Sequence, residues 1–247
     1  MSEVRMCMAG PKLRLTGAAL CALLIVCVTG CGGGNIRRKI EIEIAKSLQK
    51  KLGPAESYAV SVAGSTVSLV RGSIKEIQIL GLGVYLREGI ILDRLDIVLK
   101  GIRVDPASRA IKNCSQARYT ATISAVELEK YIRKRYPDIP ELGIRLTDQR
   151  LHIQAAPQVA GVRIPVTATA SLKTKDGTQI VLDLKSVDVG PIPTPGFARE
   201  YLEKRLNPVF EASAIGFEAQ IDEVTIENGS LVLTGTFDPA KALDETD

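Results

Sequence analysis

The 247-residue chain has few of the side chains on which catalysis, metal binding and nucleic-acid binding usually depend. It contains no tryptophan, four phenylalanines, six tyrosines and one histidine. A single histidine leaves little for acid–base catalysis near neutral pH or for a transition-metal site. The formal charge is +4, from 32 Lys and Arg against 28 Asp and Glu, and a nucleic-acid-binding protein normally concentrates a basic stripe. We therefore expect no catalytic residue, no metal or other cofactor, and no nucleic-acid partner.

The sequence also has no motif that indicates a particular reaction. Gly81-Leu82-Gly83 lacks the third glycine of a dinucleotide-binding loop and lies inside a strand pattern. The only histidine, His152, lies between Leu151 and Ile153, so alternation places it on the more polar face of a strand. No nucleophile can be assigned to it, and a hydrolase is the weakest hypothesis. The lone thiol of the mature chain, Cys114, is expected to be partly buried and inert.

The first thirty residues have the pattern of an export signal. Arg5, Lys12 and Arg14 form a positive end, and no charge occurs from Leu15 to Val28. As a helix this stretch would measure roughly 21 Å, which is short of the roughly 30 Å hydrocarbon core of a bilayer. We therefore predict a signal peptide over residues 1–30.

The end of this segment, Val28-Thr29-Gly30-Cys31, resembles the bacterial lipobox. The resemblance implies that cleavage leaves Cys31 as the first residue and that its thiol carries lipid, including palmitate-like acyl chains. An ordinary signal peptide followed by a chance cysteine is the alternative. Two or three acyl chains give a stable anchor, and residues 31–35 would form a flexible tether behind it.

A helix is predicted over residues 36–52, with Asn35 as its N-cap. Isoleucine or leucine recurs at four-residue spacing along it, and Gly53-Pro54 ends it. Its outer face is basic. That face either contacts anionic headgroups next to the lipid anchor or is simply solvated.

From Tyr58 onward, apolar residues alternate with polar ones and predict antiparallel strands with short turns. We expect a break at Gly81, a turn at residues 87–89, and hairpins at Asp176-Gly177 and Asn228-Gly229. Two further helices are predicted, one opened by a capping box at Ser124 and one around Leu202. The pattern predicts an α+β fold: one domain over residues 36–237, with a long curved antiparallel sheet and two to three helices that cover one face of it, and a polar tail over 238–247.

The apolar residues of this domain are mainly aliphatic. Such a sheet can fill its own interior or leave a groove that suits an alkyl chain, and the sequence pattern leaves both possibilities open. Aromatic and polar groups, which orient most small ligands, are scarce. The residues predicted to line the core or the groove are Ile77, Ile79, Leu95, Ile97, Leu99, Leu128, Ile132, Leu202 and Leu206.

Several stretches resemble the bacterial LmeA-like phospholipid-binding family. They are Arg71-Gly72-Ser73-Ile74, Ile77-Gln78-Ile79, Leu92 to Ile102, Ile123-Ser124 with Glu127-Leu128, the strand pair around Asp176-Gly177, Leu206-Asn207-Pro208, and Val224 to Gly235. The resemblance implies an extracytoplasmic fold related to the tubular lipid-binding superfamily, and a role in building or maintaining the cell envelope. It assigns no individual ligand residue.

Two hypotheses follow. The first is a lipoprotein, anchored to the cell membrane or outer membrane through Cys31, that holds a phospholipid or other acyl lipid for transfer or envelope maintenance. The second is a structural envelope lipoprotein without a lipid cavity, which binds a protein partner through a sheet edge or through the basic helix.

Overall fold

The computed structural model describes most of the chain that follows the predicted leader. The described residues are 33–86, 88–105, 110–137, 139, 141–147, 149–156, 158–159, 162–189, 196–215 and 217–240. The predicted signal peptide, Cys31 and most of the predicted tail lie outside them.

Four helices and a short 3-10 segment are present in the described residues. They are α1 (Gly33–Lys51), α2 (Thr66–Val70), α3 (Ala125–Arg135), α4 (Gly196–Leu206) and the 3-10 segment Ala212–Ile215.

The strands, in chain order, are β1 (Ser57–Ala63), β2 (Ser73–Tyr85), β3 (Ile91–Val104), β4 (Ile111–Asn113), β5 (Gln116–Ser124), β6 (Gly143–Thr147), β7 (Arg150–Ala155), β8 (Gln158–Val159), β9 (Val162–Arg163), β10 (Val166–Lys175), β11 (Gln179–Asp188), β12 (Phe210–Glu211), β13 (Ala219–Glu227) and β14 (Ser230–Phe237).

The strands form two main antiparallel sheets and one two-stranded ribbon. The large sheet has the order β1-β2-β3-β5-β14-β13, with β4 paired to β3. The small sheet has the order β12-β11-β10-β7-β6, and β8 pairs with β9. The predicted α+β class with a large antiparallel sheet is confirmed. Alternation within each strand does not reveal which strands pair, so the division into two sheets is a property of the tertiary structure.

The two predicted hairpin turns are confirmed by their backbone conformation. Asp176 and Gly177 have φ angles of 53° and 64°, and Asn228 and Gly229 have φ angles of 51° and 74°. Two successive positive φ angles give the turn whose twist matches that of antiparallel strands, and Asp-Gly and Asn-Gly adopt it readily. These turns fix the register of β10 with β11 and of β13 with β14.

The predicted helix after β5 is confirmed together with its cap. The Ser124 hydroxyl accepts a hydrogen bond from the backbone N–H of Glu127 at 3.4 Å. The carboxylate of Asp93 on β3 accepts another from the N–H of Ser124 at 2.6 Å. Leu128 and Ile132 are buried on the inner face of α3. The cap and the β3 contact therefore fix where the chain leaves the sheet.

Gly81 does not break a strand, contrary to the prediction. It lies inside β2, which runs without interruption through Gly81 and Gly83. A Cβ at position 81 would lie 2.7 Å from Cγ2 of Val84 and 3.0 Å from the Tyr58 ring. The glycine therefore provides space for a close cross-strand contact, which a sequence pattern cannot distinguish from a turn.

Two helix predictions also differ from the structure. Helix α1 begins at Gly33 instead of at residue 36, so Gly33 and Gly34, assigned to the tether, are helical and Asn35 is not the N-cap. Helix ends are poorly specified by sequence because their residues make few intrahelical hydrogen bonds. Helix α2 was not predicted. Its signal is Ser65, whose side chain accepts a hydrogen bond from the N–H of Ser68 at 3.1 Å.

The helices cover the sheets at different places, not one common face. Helix α1 packs against β1 and α2, α3 packs against β5 and β6, and α4 packs against β11 of the small sheet. The sheets contact each other where β13 meets β10 and β6. Their buried residues form one continuous apolar cluster.

Candidate functional site

The inner face of the large sheet is an aliphatic surface built by strand register. One row across the strands is Ile79, Ile97, Tyr119, Gly235 and Ile221. The neighbouring row is Gly81, Leu95, Ala121, Leu233 and Val224. Every second residue of each strand points to this face. The alternation read from the sequence is therefore the origin of the apolar surface.

Large and small side chains are unevenly distributed on this face. Bulky aliphatic residues occur on β2, β3, β5 and β14, but β5 and β14 also contribute the small residues Ala117, Ala121 and Gly235. A Cβ on Gly235 would come within 2.7 Å of the Tyr119 ring and closer still to the Gln220 carbonyl oxygen. The glycine therefore gives the tyrosine ring the space to cross β14.

Tyr119 is the main polar group on this face. Its hydroxyl donates a hydrogen bond to the Gln220 carbonyl at 3.2 Å, and its ring packs edge-on to Phe217 at 5.7 Å between centroids. Burial, assisted by the negative charge of Asp222, raises the pKa of Tyr119. The phenol is therefore neutral at physiological pH, and it leaves this part of the interior uncharged.

A second tyrosine lies at the edge of the large sheet. The Tyr58 hydroxyl on β1 donates to the Gly53 carbonyl at 3.0 Å, just beyond the end of α1. Burial raises the pKa of Tyr58 to about 12. On the same strand, the N–H of Val62 donates to the Glu41 carboxylate of α1 at 3.1 Å. Helix α1 and the edge strand are thus joined by polar contacts as well as by apolar packing.

All nine predicted core or groove residues are buried, none being more than 9% exposed. Five of them lie on the inner face of the large sheet, where Ile77 pairs with Leu99, Ile79 with Ile97, and Leu95 with Gly81. Leu128 and Ile132 lie on α3. Leu202 and Leu206 lie on α4, which packs on the small sheet. The structure therefore places them in one apolar cluster, and their lining of a lipid groove stays a prediction.

The prediction omitted other residues of the same cluster. Fully or almost fully buried examples are Val84, Leu92, Ile123, Leu231, Leu233, Ile180 and Phe210. Ile123, Leu231 and Leu233 continue the alternation of β5 and β14, so the same signal identifies them. Val84 and Leu92 do not, because the alternation of β2 and β3 is interrupted between each of them and the predicted residues of its strand. Phe210 lies on the two-residue strand β12 and pairs with Ile180. A strand of that length has no periodicity to read.

A polar network borders this cluster at the turn between β2 and β3, and it is centred on Tyr131, whose side chain is part of the cluster. The Tyr131 hydroxyl of α3 donates to the Glu88 carboxylate at 3.0 Å and accepts from the Arg135 guanidinium at 2.9 Å. Arg135 also reaches the Glu211 carboxylate at 3.3 Å. These contacts join α3 to both sheets. Each charged group has a partner, and the network is structural.

The residues considered for catalysis or metal binding show no reactive arrangement. His152 is half-buried, with Nδ1 3.3 Å from the Thr169 hydroxyl. The predicted partial burial of Cys114 is confirmed, and its thiol donates to the Gln116 carbonyl at 3.1 Å. Among the described residues, no group of three or more His, Cys, Asp or Glu side chains could hold a metal ion. None of the described helices is both long and apolar enough to cross a bilayer.

An antiparallel sheet with a continuous aliphatic inner face, covered by helices, is suited to holding apolar material. This arrangement defines the class as an α+β protein with an aliphatic interior. The chain matches the model of the LmeA-like phospholipid-binding family over residues 36–236, and it belongs to that family. No curated protein and no solved structure gives a significant match.

Proposed function

We propose that this protein is an extracytoplasmic lipoprotein that holds the acyl chains of a phospholipid against the inner face of the large sheet, and that it transfers or presents the lipid at the cell envelope. The family match over residues 36–236 carries the proposal. The aliphatic rows on β2, β3, β5 and β14 supply a surface of matching chemistry.

The energetics favour an alkyl ligand. Burial of a methylene group contributes about 0.8 kcal/mol, so twelve methylenes would contribute on the order of 10 kcal/mol before the cost of binding. Ala121 lies between Leu95 on β3 and Leu233 on β14, and Ala117 lies beside Leu99 on β3. These small side chains support the proposal, because an acyl chain can approach the sheet more closely beside an alanine than beside a leucine or isoleucine.

The proposed location follows from the N-terminal sequence. An export signal followed by Val28-Thr29-Gly30-Cys31 supports cleavage before Cys31 and attachment of lipid to its thiol. Intact-mass spectrometry of the protein from a bacterial membrane fraction tests this. We expect a chain that begins at Cys31 and carries diacylglyceryl and acyl groups. A Cys114→Ser variant should keep that mass addition and a Cys31→Ser variant should lose it.

Lipid binding is tested by mass spectrometry of organic extracts from the Cys31→Ser chain purified without harsh detergent. We expect phospholipid at a fixed molar ratio to protein. A protein that contains no lipid and takes none from liposomes would refute the proposal. It would leave the alternative of a structural lipoprotein that binds a protein partner.

A pair of variants on β5 locates the bound lipid. Ala121 is fully buried on the inner face, and its neighbour Thr122 points to the opposite face. Ala121→Leu should reduce the lipid-to-protein ratio because it fills the space, whereas Thr122→Leu should preserve it. Circular dichroism checks that both variants are folded. Equal lipid content in both would place the lipid elsewhere.

A further inference from the structure

Helix α2 presents two valines to solvent at one end of the large sheet. Leu69 is buried and fixes the helix to the core, while Val67 and Val70 are 61% and 60% exposed. Residues three apart lie on the same face of a helix. The valines therefore form a small apolar projection. It lies at the Ser73 end of β2, where β3 ends at Val104.

The surroundings of this projection are basic. Arg71, Lys75 and Arg103 are exposed, and none of them forms an ion pair with a carboxylate in the described part of the chain. Of the nearby acids, Asp105 pairs with Lys112 at 3.0 Å, whereas Glu76 accepts from the neutral amide of Gln78 at 2.6 Å and keeps its negative charge. Three cations against one unpaired carboxylate leave an excess of positive charge around the two valines.

A cleft of about 830 Å³ opens beside α2. Two of the cations, Lys75 and Arg103, line it, and the other lining residues are Gly64, Ser65, Ser68, Ser73, Ile74, Gly101, Ile102 and Asn113. The lining contains hydroxyl and amide groups but no carboxylate. Its chemistry suits an anionic, hydrogen-bonding group such as a phosphate diester.

The start of α1 lies at the same end of the molecule. The Arg37 guanidinium donates to the Gly64 carbonyl, just before α2, at 2.9 Å. Arg38 and Lys39 follow, and the first turn of α1 has no acidic residue. Cys31 precedes Gly33 by two residues, which span at most roughly 7 Å. A lipid on Cys31 would therefore hold this end of the protein, and not the opposite one, at the bilayer.

We propose that Val67 and Val70, together with Arg71, Lys75 and Arg103, form a surface that docks on an anionic lipid bilayer; we call it the α2 tip. The valines enter the headgroup region, and the cations and the cleft contact lipid phosphates. This inference goes beyond the proposed function, because docking at the α2 tip does not depend on whether the interior holds a lipid. Attachment of this end of the protein to the bilayer requires lipidation of Cys31. The charge and the exposure of the α2 tip do not depend on that lipidation.

The absence of tryptophan from the chain permits a position-specific test. Val67→Trp places the only tryptophan of the full-length chain on the α2 tip. Val126→Trp is the matched control, because Val126 is also 61% exposed and lies on α3, at the opposite end of β5. β3 has 14 residues, so the two ends of the sheet lie roughly 45 Å apart.

Each variant is reconstituted into vesicles of phosphatidylcholine alone or of phosphatidylcholine with about a third phosphatidylglycerol. With the anionic vesicles, the emission of Trp at position 67 should shift to shorter wavelength and be quenched by brominated acyl chains. Trp at position 126 should show neither effect. Equal responses at the two positions would overturn the proposal, and so would an equal response of position 67 to neutral vesicles. In either case the α2 tip would be a candidate binding surface for a protein partner and not for a bilayer.

The charged residues are tested in the Val67→Trp background. Neutralising Arg71, Lys75 and Arg103 to glutamine should lower the ratio of docked to undocked protein by roughly fivefold per cation. Arg145→Gln is the control and should have no effect, because Arg145 is exposed on β6 of the small sheet, which packs against α3 away from the α2 tip. An unchanged ratio in the triple variant would refute the role of these cations.

Lipid content, measured on the Cys31→Ser form of the same variants before any contact with vesicles, separates the two proposals. The triple variant should keep its co-purified phospholipid, because none of the three cations lies in the aliphatic interior. A triple variant that no longer docks but keeps its co-purified phospholipid supports membrane docking through the α2 tip. Absence of lipid from every variant would refute the proposed function and leave the result on docking intact.

Discussion

Substitution of Gly235 by alanine tests whether the Tyr119 ring depends on a glycine on the neighbouring strand. Gly235 is the cross-strand partner of Tyr119 on one side and of Ile221 on the other. An added Cβ would lie within 2.7 Å of both Cε1 and the hydroxyl oxygen of Tyr119, and closer still to the Gln220 carbonyl. A methyl group cannot be accommodated there unless the ring or β13 moves.

The expected cost has two parts. Overpacking of a well-packed site destabilises by about 1–3 kcal/mol. Displacement of the ring also weakens the hydrogen bond from Tyr119 to Gln220, which contributes about 1 kcal/mol. We therefore expect Gly235→Ala to lower the free energy of unfolding by about 2–4 kcal/mol, and Tm by roughly 4–16 °C for a domain of this size.

The matched control is Gly143→Ala on β6. Gly143 also lies in a strand, but the nearest atom to its added Cβ, the Cβ of Gln154, is 3.8 Å away, an ordinary contact. An alanine that fits reduces the entropy of the unfolded chain, so this variant should be neutral or more stable by about 0.4–1 kcal/mol.

Urea unfolding followed by far-ultraviolet circular dichroism measures both variants. Equal urea midpoints for Gly235→Ala and Gly143→Ala would show that the close contact at Gly235 does not limit the side chain at that position. A second check is Tyr119→Leu combined with Gly235→Ala. The smaller side chain removes the ring contact, so the double variant should be more stable than the sum of the two single effects predicts.

Three further predictions concern pH, a side-chain bridge and the core. Burial raises the pKa of Tyr58 to about 12 and also raises that of Tyr119. Because the folded state favours the neutral phenols, their contribution to the free energy of unfolding is fully present below about pH 10 and is lost as the pH rises through 12. A tyrosinate absorbance titration should show a late component that Tyr58→Phe reduces, and titration of all tyrosines near 10 would contradict it. Asn207 accepts from the N–H of Leu182 at 2.6 Å and donates to its carbonyl at 3.3 Å, so Asn207→Ala should cost about 2–3 kcal/mol in the same urea assay, and a cost below about 0.5 kcal/mol would show that water replaces the side chain. Leu128→Ala should cost about 2–5 kcal/mol because Leu128 is fully buried, whereas Val126→Ala on the exposed side of α3 should stay within about 0.5 kcal/mol of the parent protein.

The fold could be predicted where local chemistry is decisive. Asp176-Gly177 and Asn228-Gly229 permit two successive positive φ angles, and both hairpins occur where the sequence places them. Ser124 caps α3 as expected. In each case the interacting atoms lie within a few residues of each other, so the sequence contains the whole signal.

The site could be predicted only as a set of inward-facing residues. Alternation identifies Ile77, Ile79, Leu95, Ile97 and Leu99 as one face of two strands, and the structure pairs them on the large sheet. Alternation does not indicate that α4 packs on another sheet. Nor does it distinguish the close contact at Gly81 from a break in the strand, because that contact is with Tyr58 on a neighbouring strand.

The sequence by itself determined the strands, the turns and the aliphatic character of the interior, and it predicts a leader over residues 1–30. These features depend on the chemistry of single residues and on short-range periodicity. Only the tertiary structure decided that the strands form two main sheets, that Gly235 makes space for Tyr119, and that Arg37 contacts the loop before α2. Those contacts join residues distant along the chain, and the Tyr119 hydroxyl and the Gln220 carbonyl are 101 positions apart. Their proximity results from the free energy of packing the whole domain, which no local pattern contains.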